Sequence, residues 1–226
     1  MALLLHIETA TSVCSVALSE HGKLLSLKEE NKKNTHAENI TLFISHVLNE
    51  AGKKNSDLDA IAVSAGPGSY TGLRIGVSTA KGFCYALDRP LIAINTLQAL
   101  AFKIRISNFE FRNSLLCPMI DARRMEVFCA LYDDNLNEIQ SASPKIIHEN
   151  SFSDLLKENK IYFFGDGAEK CKTVLSHQTN AIFIDNIFPS ASSMIDIAEK
   201  KFQQKQFENL ALFEPFYAKE FVDGKK

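Results

Sequence analysis

The segment "SAGPGSYTGLRIG", from Ser64 to Gly76, is the part of the sequence that decides the fold. It holds four of the ten glycines, follows an apolar segment predicted to be a buried strand, and leads into a helix predicted to end near Leu87. Because a helix N-terminus presents free N–H groups and a positive dipole end, such a junction can bind an anion. Three interpretations stay open: a phosphate site, a structural turn, or a docking surface for another protein.

The glycine spacing argues against the two common nucleotide motifs. A P-loop has the pattern G-x-x-x-x-G-K-[ST], and no lysine follows the last glycine of this turn. The pattern G-x-G-x-x-G also fails, since Gly66 and Gly68 are followed by Thr71 where the third glycine would stand. A tight strand-to-helix turn remains, with Ser69 or Thr71 as the N-cap of the helix.

The helix after this turn carries a ridge of small residues, because Gly72, Gly76 and Ala80 lie four positions apart. An interior glycine costs about 1 kcal/mol relative to alanine in a helix, so close approach of another backbone is expected to offset that cost. The neighbour could be the chain's own sheet, its first helix or another protein. The opposite face is polar and comprises Arg74, Ser78, Lys81 and Tyr85.

The order of predicted elements repeats along the chain. Three strands, a helix, a strand and a helix occur first in residues 1–106 and again in residues 107–226, with no repeat of the sequence itself. This order predicts an α/β fold of two related lobes, each with a mixed sheet plus helices, separated by a cleft. The predicted domains are therefore 1–106, which carries the helices near the glycine turn, and 107–226.

Composition excludes several functional classes. With 25 Lys and Arg against 27 Asp and Glu, the net charge of −2 disfavours a protein that binds nucleic acid alone. No apolar run approaches the roughly 18 residues of a membrane span. The five cysteines are odd in number and widely spaced, which predicts buried thiols in the reducing cytoplasm.

Polar residues at other predicted turns suggest a weak nucleotide site. Hydroxyls follow Glu8 in the first hairpin, as in actin-like ATPases, and two later turns carry an acidic residue or a glycine pair. Each turn has an ordinary structural interpretation as well, and for Asp121, beside Arg123 and Arg124, a turn ion pair is an equal alternative. The candidate residues are Thr9, Thr11, Ser12, Asp121, Gly165 and Gly167.

Catalytic and metal motifs give little support to an enzyme that acts alone. His36 opens the first predicted helix, but Ile40 stands where a second ligand on the same helix face would lie. The six histidines do not cluster, and neither a nucleophile elbow nor a Ser–His–Asp order is found.

Four segments together resemble the bacterial TsaB family, formerly called YeaZ. They are "HIETATSVCSVAL" (6–18), "GPGSYTGLRIG" (66–76), "IDARRMEVF" (120–128) and "EPFYAKEF" (214–221), in order across nearly the whole chain. The resemblance implies an actin-like (ASKHA, ribonuclease H-like) fold of two lobes. It also implies a cytoplasmic protein needed to form N6-threonylcarbamoyladenosine in tRNA.

The family resemblance further implies a non-catalytic adaptor that docks on and activates the paralogue TsaD. TsaD carries a metal-binding H-x-x-x-H, and the matching positions here are His36 and Ile40. ATP and a metal ion are accordingly expected on the partner and no cofactor in this chain. A TsaE-type ATPase is expected in the larger complex, and tRNA only through that complex. Glu8 stands where the family usually shows Asp, which also argues against a working nucleotide site.

The family docks through its first two helices, as a homodimer or as a heterodimer with TsaD, and these are residues 36–52 and 72–87 here. The alternative function is an ATP-binding actin-like enzyme, or a metal-dependent (glyco)protease, acting alone. The predicted partner contacts are His36, Glu38, Leu42, Ser69, Tyr70, Thr71, Gly72, Arg74, Ile75, Gly76, Thr79, Ala80 and Phe83.

Overall fold

The computed structural model describes residues 2–32, 35–105 and 111–219. Its first half forms a five-stranded sheet with three helices, because long apolar runs alternate with amphipathic segments. The strands are β1 (Leu3–Glu8), β2 (Val13–Glu20), β3 (Lys23–Asn31), β4 (Ala60–Gly66) and β5 (Leu91–Asn95). The helices are α1 (His36–Glu50), α2 (Tyr70–Leu87) and α3 (Thr96–Arg105), and a short 3-10 turn spans Asn55–Asp57.

A second five-stranded sheet follows. Its strands are β6 (Ser114–Asp121), β7 (Glu126–Tyr132), β8 (Glu138–Ile146), β9 (Lys160–Phe164) and β10 (Ala181–Ile184). The remaining helices are α4 (Ser153–Glu158), α5 (Ala168–Leu175) and α6 (Ile195–Gln203), with a 3-10 turn at Ala191–Met194. Among the described helices, none is long and apolar enough to cross a bilayer.

The two sheets share one topology. The first has the order β3-β2-β1-β4-β5 and the second β8-β7-β6-β9-β10, each with an antiparallel three-stranded part and a parallel part. This confirms the predicted α/β fold of two lobes with the same order of elements. The central strand β1 is buried along its whole length, including the polar side chains of His6 and Glu8, because helices cover both faces of its sheet.

Helices cover both faces of the first sheet. Buried residues of α1 and α2 pack on one face, where Leu5 and Ile7 point. On the other face, Leu4 packs with Ala99 of α3 and Ala198 of α6. Other residues of α3, including Leu100, pack with Leu116 and Ile120 of the second sheet, so α3 lies between the lobes.

The chain returns to the first lobe after β10. The predicted domain boundary at residues 106/107 lies outside the described residues and stays a prediction, but α6, in the second predicted half, packs on the first sheet. Beyond α6, residues 208–219 form a segment without helix or strand that we call the C-terminal strap. It begins beside β5, where Glu208 N donates to Leu91 O at 2.9 Å.

Candidate functional site

The glycine ridge of α2 packs against the turn between β1 and β2. Thr9 Oγ1 donates to Gly72 O at 2.9 Å. A Cβ atom on Gly72 would lie 2.1 Å from Thr9 O, and one on Gly76 would lie 2.2 Å from Thr9 Oγ1. Only glycine allows this approach, so the close neighbour left open by the sequence is the chain's own first turn.

The cap of α2 completes this contact. Ser69 Oγ accepts from Gly72 N at 3.3 Å, so Ser69 is the N-cap, as predicted in alternative to Thr71. Ser69 N donates to Ala10 O at 2.7 Å, and a Cβ on Gly68 would meet Ala10 O at 2.4 Å. The start of α2 therefore lies directly on the first turn.

The Glu8 side chain accepts hydrogen bonds from the first turn and from β4. Its Oε1 accepts from Ala10 N at 2.6 Å and from Ser64 Oγ at 3.0 Å, while Thr9 N donates to Ser64 Oγ at 3.3 Å. Two backbone donors that could meet a phosphate are thus already bonded within the chain. The hydroxyl of Thr11 is also engaged, since it accepts from Val13 N at 3.3 Å.

The Glu8 carboxyl is fully buried, and its Oε2 has no hydrogen-bond partner among the described residues. Burial raises the pKa of Glu8 to about 7, partly offset by the hydrogen bonds from Ala10 and Ser64, and the charge of Asp166 raises it further. Asp166 belongs to the other lobe and lies at the turn between β9 and α5. Burial likewise raises the pKa of Asp166 to about 6.

Asp121 pairs with a residue that the sequence analysis did not consider. It forms an ion pair with Lys170 of α5, and its Oδ1 accepts from Arg123 N at 3.0 Å. The predicted contact with arginine guanidinium groups is replaced by this lysine. Lys170 Nζ also donates to Glu126 O at 2.6 Å, so its ammonium group is fixed beside the turn between β6 and β7.

The two glycines predicted near this turn have structural roles. Gly165 has a φ of 104°, and a Cβ there would lie 2.1 Å from Met119 O. A Cβ on Gly167 would lie 2.8 Å from the carbonyl carbon of Ile120. Both glycines let the start of α5 pack on β6. Among the described residues, no group of three His, Cys, Asp or Glu side chains could hold a metal ion.

His36 is a structural residue rather than a surface contact. It is buried, and its Nε2 donates to Thr11 O at 2.8 Å, which joins the start of α1 to the first turn. Like His36, the predicted partner contacts Gly72, Gly76 and Ala80 are buried within the chain, and their role as partner contacts stays a prediction. The exposed side of α2 is formed by other residues, among them Thr71, Arg74 and Tyr85.

The outer faces of α1 and α2 lie side by side on the same side of the sheet. Two large apolar side chains are exposed there: Leu42, at 64%, and Tyr85, at 85%. Of the other predicted partner contacts, Glu38, Ser69, Thr71 and Arg74 are exposed. Tyr70, Ile75, Thr79 and Phe83 are partly exposed.

At the start of α2 a shallow depression of about 500 Å³ is lined by Tyr70, Thr71, Arg74 and Ile75. The Arg74 guanidinium lies over the Tyr70 ring at 5.3 Å, and Tyr70 contacts the ring of Tyr217 with 4.6 Å between centroids. Sequence reasoning missed Tyr217 as a neighbour, because 147 positions separate it from Tyr70. Arg and Tyr are the residue types most enriched at the energetic centres of protein interfaces.

Comparison with known proteins identifies relatives over nearly the whole chain. A family model described as TsaD, tRNA N6-adenosine threonylcarbamoyltransferase, matches residues 24–222. The tRNA threonylcarbamoyladenosine biosynthesis protein TsaB of Escherichia coli (strain K12) is 29% identical over 99% of this chain and 97% of that protein.

Solved structures agree with the fold. YeaZ from Pseudomonas aeruginosa superposes with a TM-score of 0.83 at 25% identity, covering 96% of this chain and 100% of that one. The activator of 2-hydroxyisocaproyl-CoA dehydratase from Clostridium difficile, solved with ADPNP, has a TM-score of 0.52 at 9% identity over 92% of this chain and 98% of its own. At that identity it shows the shared actin-like fold alone.

Proposed function

The chain belongs to the TsaD family of tRNA N6-adenosine threonylcarbamoyltransferases and, within it, to the TsaB (YeaZ) proteins, and from this premise we propose that it is a non-catalytic adaptor subunit. Its role lies in the biosynthesis of threonylcarbamoyladenosine in tRNA. As an adaptor it docks on a TsaD-type catalytic paralogue through the outer faces of α1 and α2 and activates it.

One observation carries this proposal: the turn that would meet phosphate is occupied by the chain itself. Glu8 Oε1 accepts a hydrogen bond from Ala10 N, and Ser64 Oγ accepts one from Thr9 N. The first turn therefore has few donors left for a triphosphate. The outer faces of α1 and α2, which we call the helix layer, expose Leu42 and Tyr85 to a partner. Single exposed apolar residues are common on protein surfaces, so these two support the proposal only because both lie on the helices through which the family is expected to dock.

Membership of the TsaB proteins also suggests what else the complex contains. We propose that the TsaD-type partner holds the ATP and the metal ion, that a TsaE-type ATPase joins the complex, and that tRNA is reached only through it. The five cysteines of this chain are all free and buried, which suits the reducing cytoplasm that we propose as its location. Self-association through the same helix faces is expected when the partner is absent.

The alternative function, an actin-like ATPase or metal-dependent protease acting alone, has one feature in its favour. Glu8 and Asp166, one in each lobe, are carboxyls with raised pKa values, and such groups cluster at active sites. Against it stand the internal hydrogen bonds of Glu8 and the pairing of Asp121 with Lys170. We therefore favour the adaptor.

The test is binding and activation of the paralogue. The wild-type chain and the variants Leu42→Glu and Tyr85→Glu are titrated against the TsaD-type protein of the same organism, and threonylcarbamoyladenosine formation is measured in the reconstituted complex. Ile139→Glu is the matched control, because Ile139 is 57% exposed on β8 of the second lobe.

We expect the two helix variants to bind at least tenfold more weakly and to lose activation in proportion, while Ile139→Glu behaves as wild type. Wild-type binding by all variants would place the docking surface elsewhere. No binding by the wild-type chain, or full tRNA modification without it, would exclude the adaptor function.

A further inference from the structure

The C-terminal strap is held against α2 by its backbone. Lys81 Nζ donates to Phe213 O at 3.0 Å, and Phe216 N donates to Ala65 O at 2.7 Å. Leu210 and Phe213 pack on the core beneath α1 and α2. The strap therefore runs along the same side of the first lobe as the helix layer and keeps a defined position there.

These contacts leave large apolar side chains of the strap in water. Leu212 is 78% exposed, and Phe216 is 48% exposed. Leu212 lies between the two carbonyls that Lys81 binds, those of Ala211 and Phe213. A chain segment fixed by its backbone but with its bulky apolar side chains turned outward favours a contact with another protein over a purely structural role.

The area of the helix faces also indicates that the strap takes part in a contact with another protein. Helices of 15 and 18 residues are about 22 and 27 Å long and about 10 Å wide, so their outer faces together offer about 500 Å². A standard interface takes about 800 Å² from each partner. The helix pair alone is therefore small for a stable complex, and the strap extends its surface beside α2.

We propose that the C-terminal strap forms the second part of the docking surface, with Leu212 and Phe216 contacting the TsaD-type partner beside Tyr70 and Arg74. This inference rests on the proposed function and names the same partner. The partner surface is expected to be apolar opposite Leu212 and Phe216. It is expected to carry a carboxylate opposite Arg74, since α2 has two basic residues and no acidic one.

The strap also reaches the second lobe within the same few residues. Tyr217 contacts Tyr70, Ala218 packs with the cluster between α3 and the second sheet, and Lys219 forms an ion pair with Glu126 of β7. A partner seated on the strap would therefore touch the segment that joins the two lobes. The interface thus extends from the helix layer toward the cleft edge.

The experiment measures the affinity of the full chain for the TsaD-type paralogue by titration calorimetry. Leu212→Glu tests the strap, Leu42→Glu tests the helix layer, and Ile139→Glu is the control of similar size and exposure. Because Leu212 is mostly in water, the variant should keep the wild-type unfolding temperature. If Leu212→Glu lowers the unfolding temperature, the affinity of Leu212→Gln is measured instead, because glutamine is polar but carries no charge. Hydrogen exchange of residues 211–217 is followed with and without the partner.

We expect Leu212→Glu to weaken binding at least tenfold, Ile139→Glu to leave it unchanged, and the strap amides to exchange more slowly in the complex. Wild-type affinity of Leu212→Glu together with weak binding by Leu42→Glu would overturn the strap inference and leave the adaptor function standing. Absence of binding by the wild type would overturn both. If Leu212→Glu abolished only self-association of the chain, the strap would belong to a homodimer and the inference would be wrong.

Discussion

Thr9 Oγ1 occupies the place that a side chain on Gly76 would take, 2.2 Å from the position of a Cβ atom there. The same hydroxyl donates to Gly72 O, one turn earlier in α2. This single threonine explains why the second helix carries a glycine at each of these positions. It also shows that the small-residue ridge of α2 faces the first turn, so that Arg74 and Tyr85 of the same helix point to solvent.

The first prediction concerns this contact. Gly76→Ala should lower the free energy of unfolding by about 1–3 kcal/mol, because the added methyl group forces Thr9 and α2 apart. The matched control is Gly82→Ala in the same helix, where a Cβ would meet nothing within 4 Å. That variant should gain about 0.5–1 kcal/mol from helix propensity. Urea unfolding of both variants tests the prediction, which equal effects would contradict.

The second prediction concerns Glu8, whose pKa burial raises to about 7 from an ordinary value of 4.5. Between these pH values the folded chain binds more protons at this site than the unfolded chain, so this group makes stability fall as the pH rises. Glutamine cannot ionise. The stability of Glu8→Gln relative to wild type should therefore rise from pH 4.5 to 7.5, by up to about 3 kcal/mol for a shift of this size.

The measurement is the difference in unfolding free energy between the two proteins at pH 4.5 and at pH 7.5. Taking a difference removes the effect of His6, whose pKa burial lowers to about 3 in both proteins. A difference that stays constant across this range would show that Glu8 titrates as an exposed carboxyl does.

The third prediction concerns nucleotide. Calorimetry of the isolated chain with ATP and magnesium should give no binding in the micromolar range, where the free energy would be about −8 kcal/mol. The reason is that the backbone donors of the turn, Ala10 N and Thr9 N, are already bonded to Glu8 and Ser64 within the chain. The TsaD-type partner serves as the positive control. Micromolar binding by the isolated chain would favour the ATPase alternative.

The fourth prediction concerns the anchoring of the strap. Lys81→Met removes the donor to Phe213 O and should speed hydrogen exchange of the Phe216 amide about fivefold, which corresponds to about 1 kcal/mol for one hydrogen bond. Lys172→Met is the control, since it breaks an exposed ion pair with Asp185 on the second lobe. Equal exchange at Phe216 in both variants would mean that Lys81 does not hold the strap.

Much of the fold follows from local patterns in the sequence. Apolar runs and helical periodicity predict nearly every strand and helix of the structure, and their repeated order predicts two sheets of the same topology. The N-cap at Ser69 is equally local, since the side chain bonds three residues ahead. Such features depend on interactions within one element or one turn, and the sequence of that stretch contains all of them.

The site depends on contacts between distant residues. Gly76 and Thr9 are 67 positions apart, and Glu8 and Ser64 are 56 apart; both pairs meet only because β1 and β4 are neighbours in the sheet. For that reason the glycine ridge and His36, expected at a partner surface, lie inside the chain.

By itself, the sequence determined the elements, their order, the turn at Ser64–Gly76 and the need for a close neighbour along Gly72 and Gly76. The tertiary structure was needed to show that this neighbour is Thr9, that Glu8 accepts hydrogen bonds at the first turn, and that the strap is bonded to α2 and β4. The periodicity of apolar residues predicts which face of a helix is buried. The segment that packs on that face depends on the sheet register, because the register brings remote parts of the chain together.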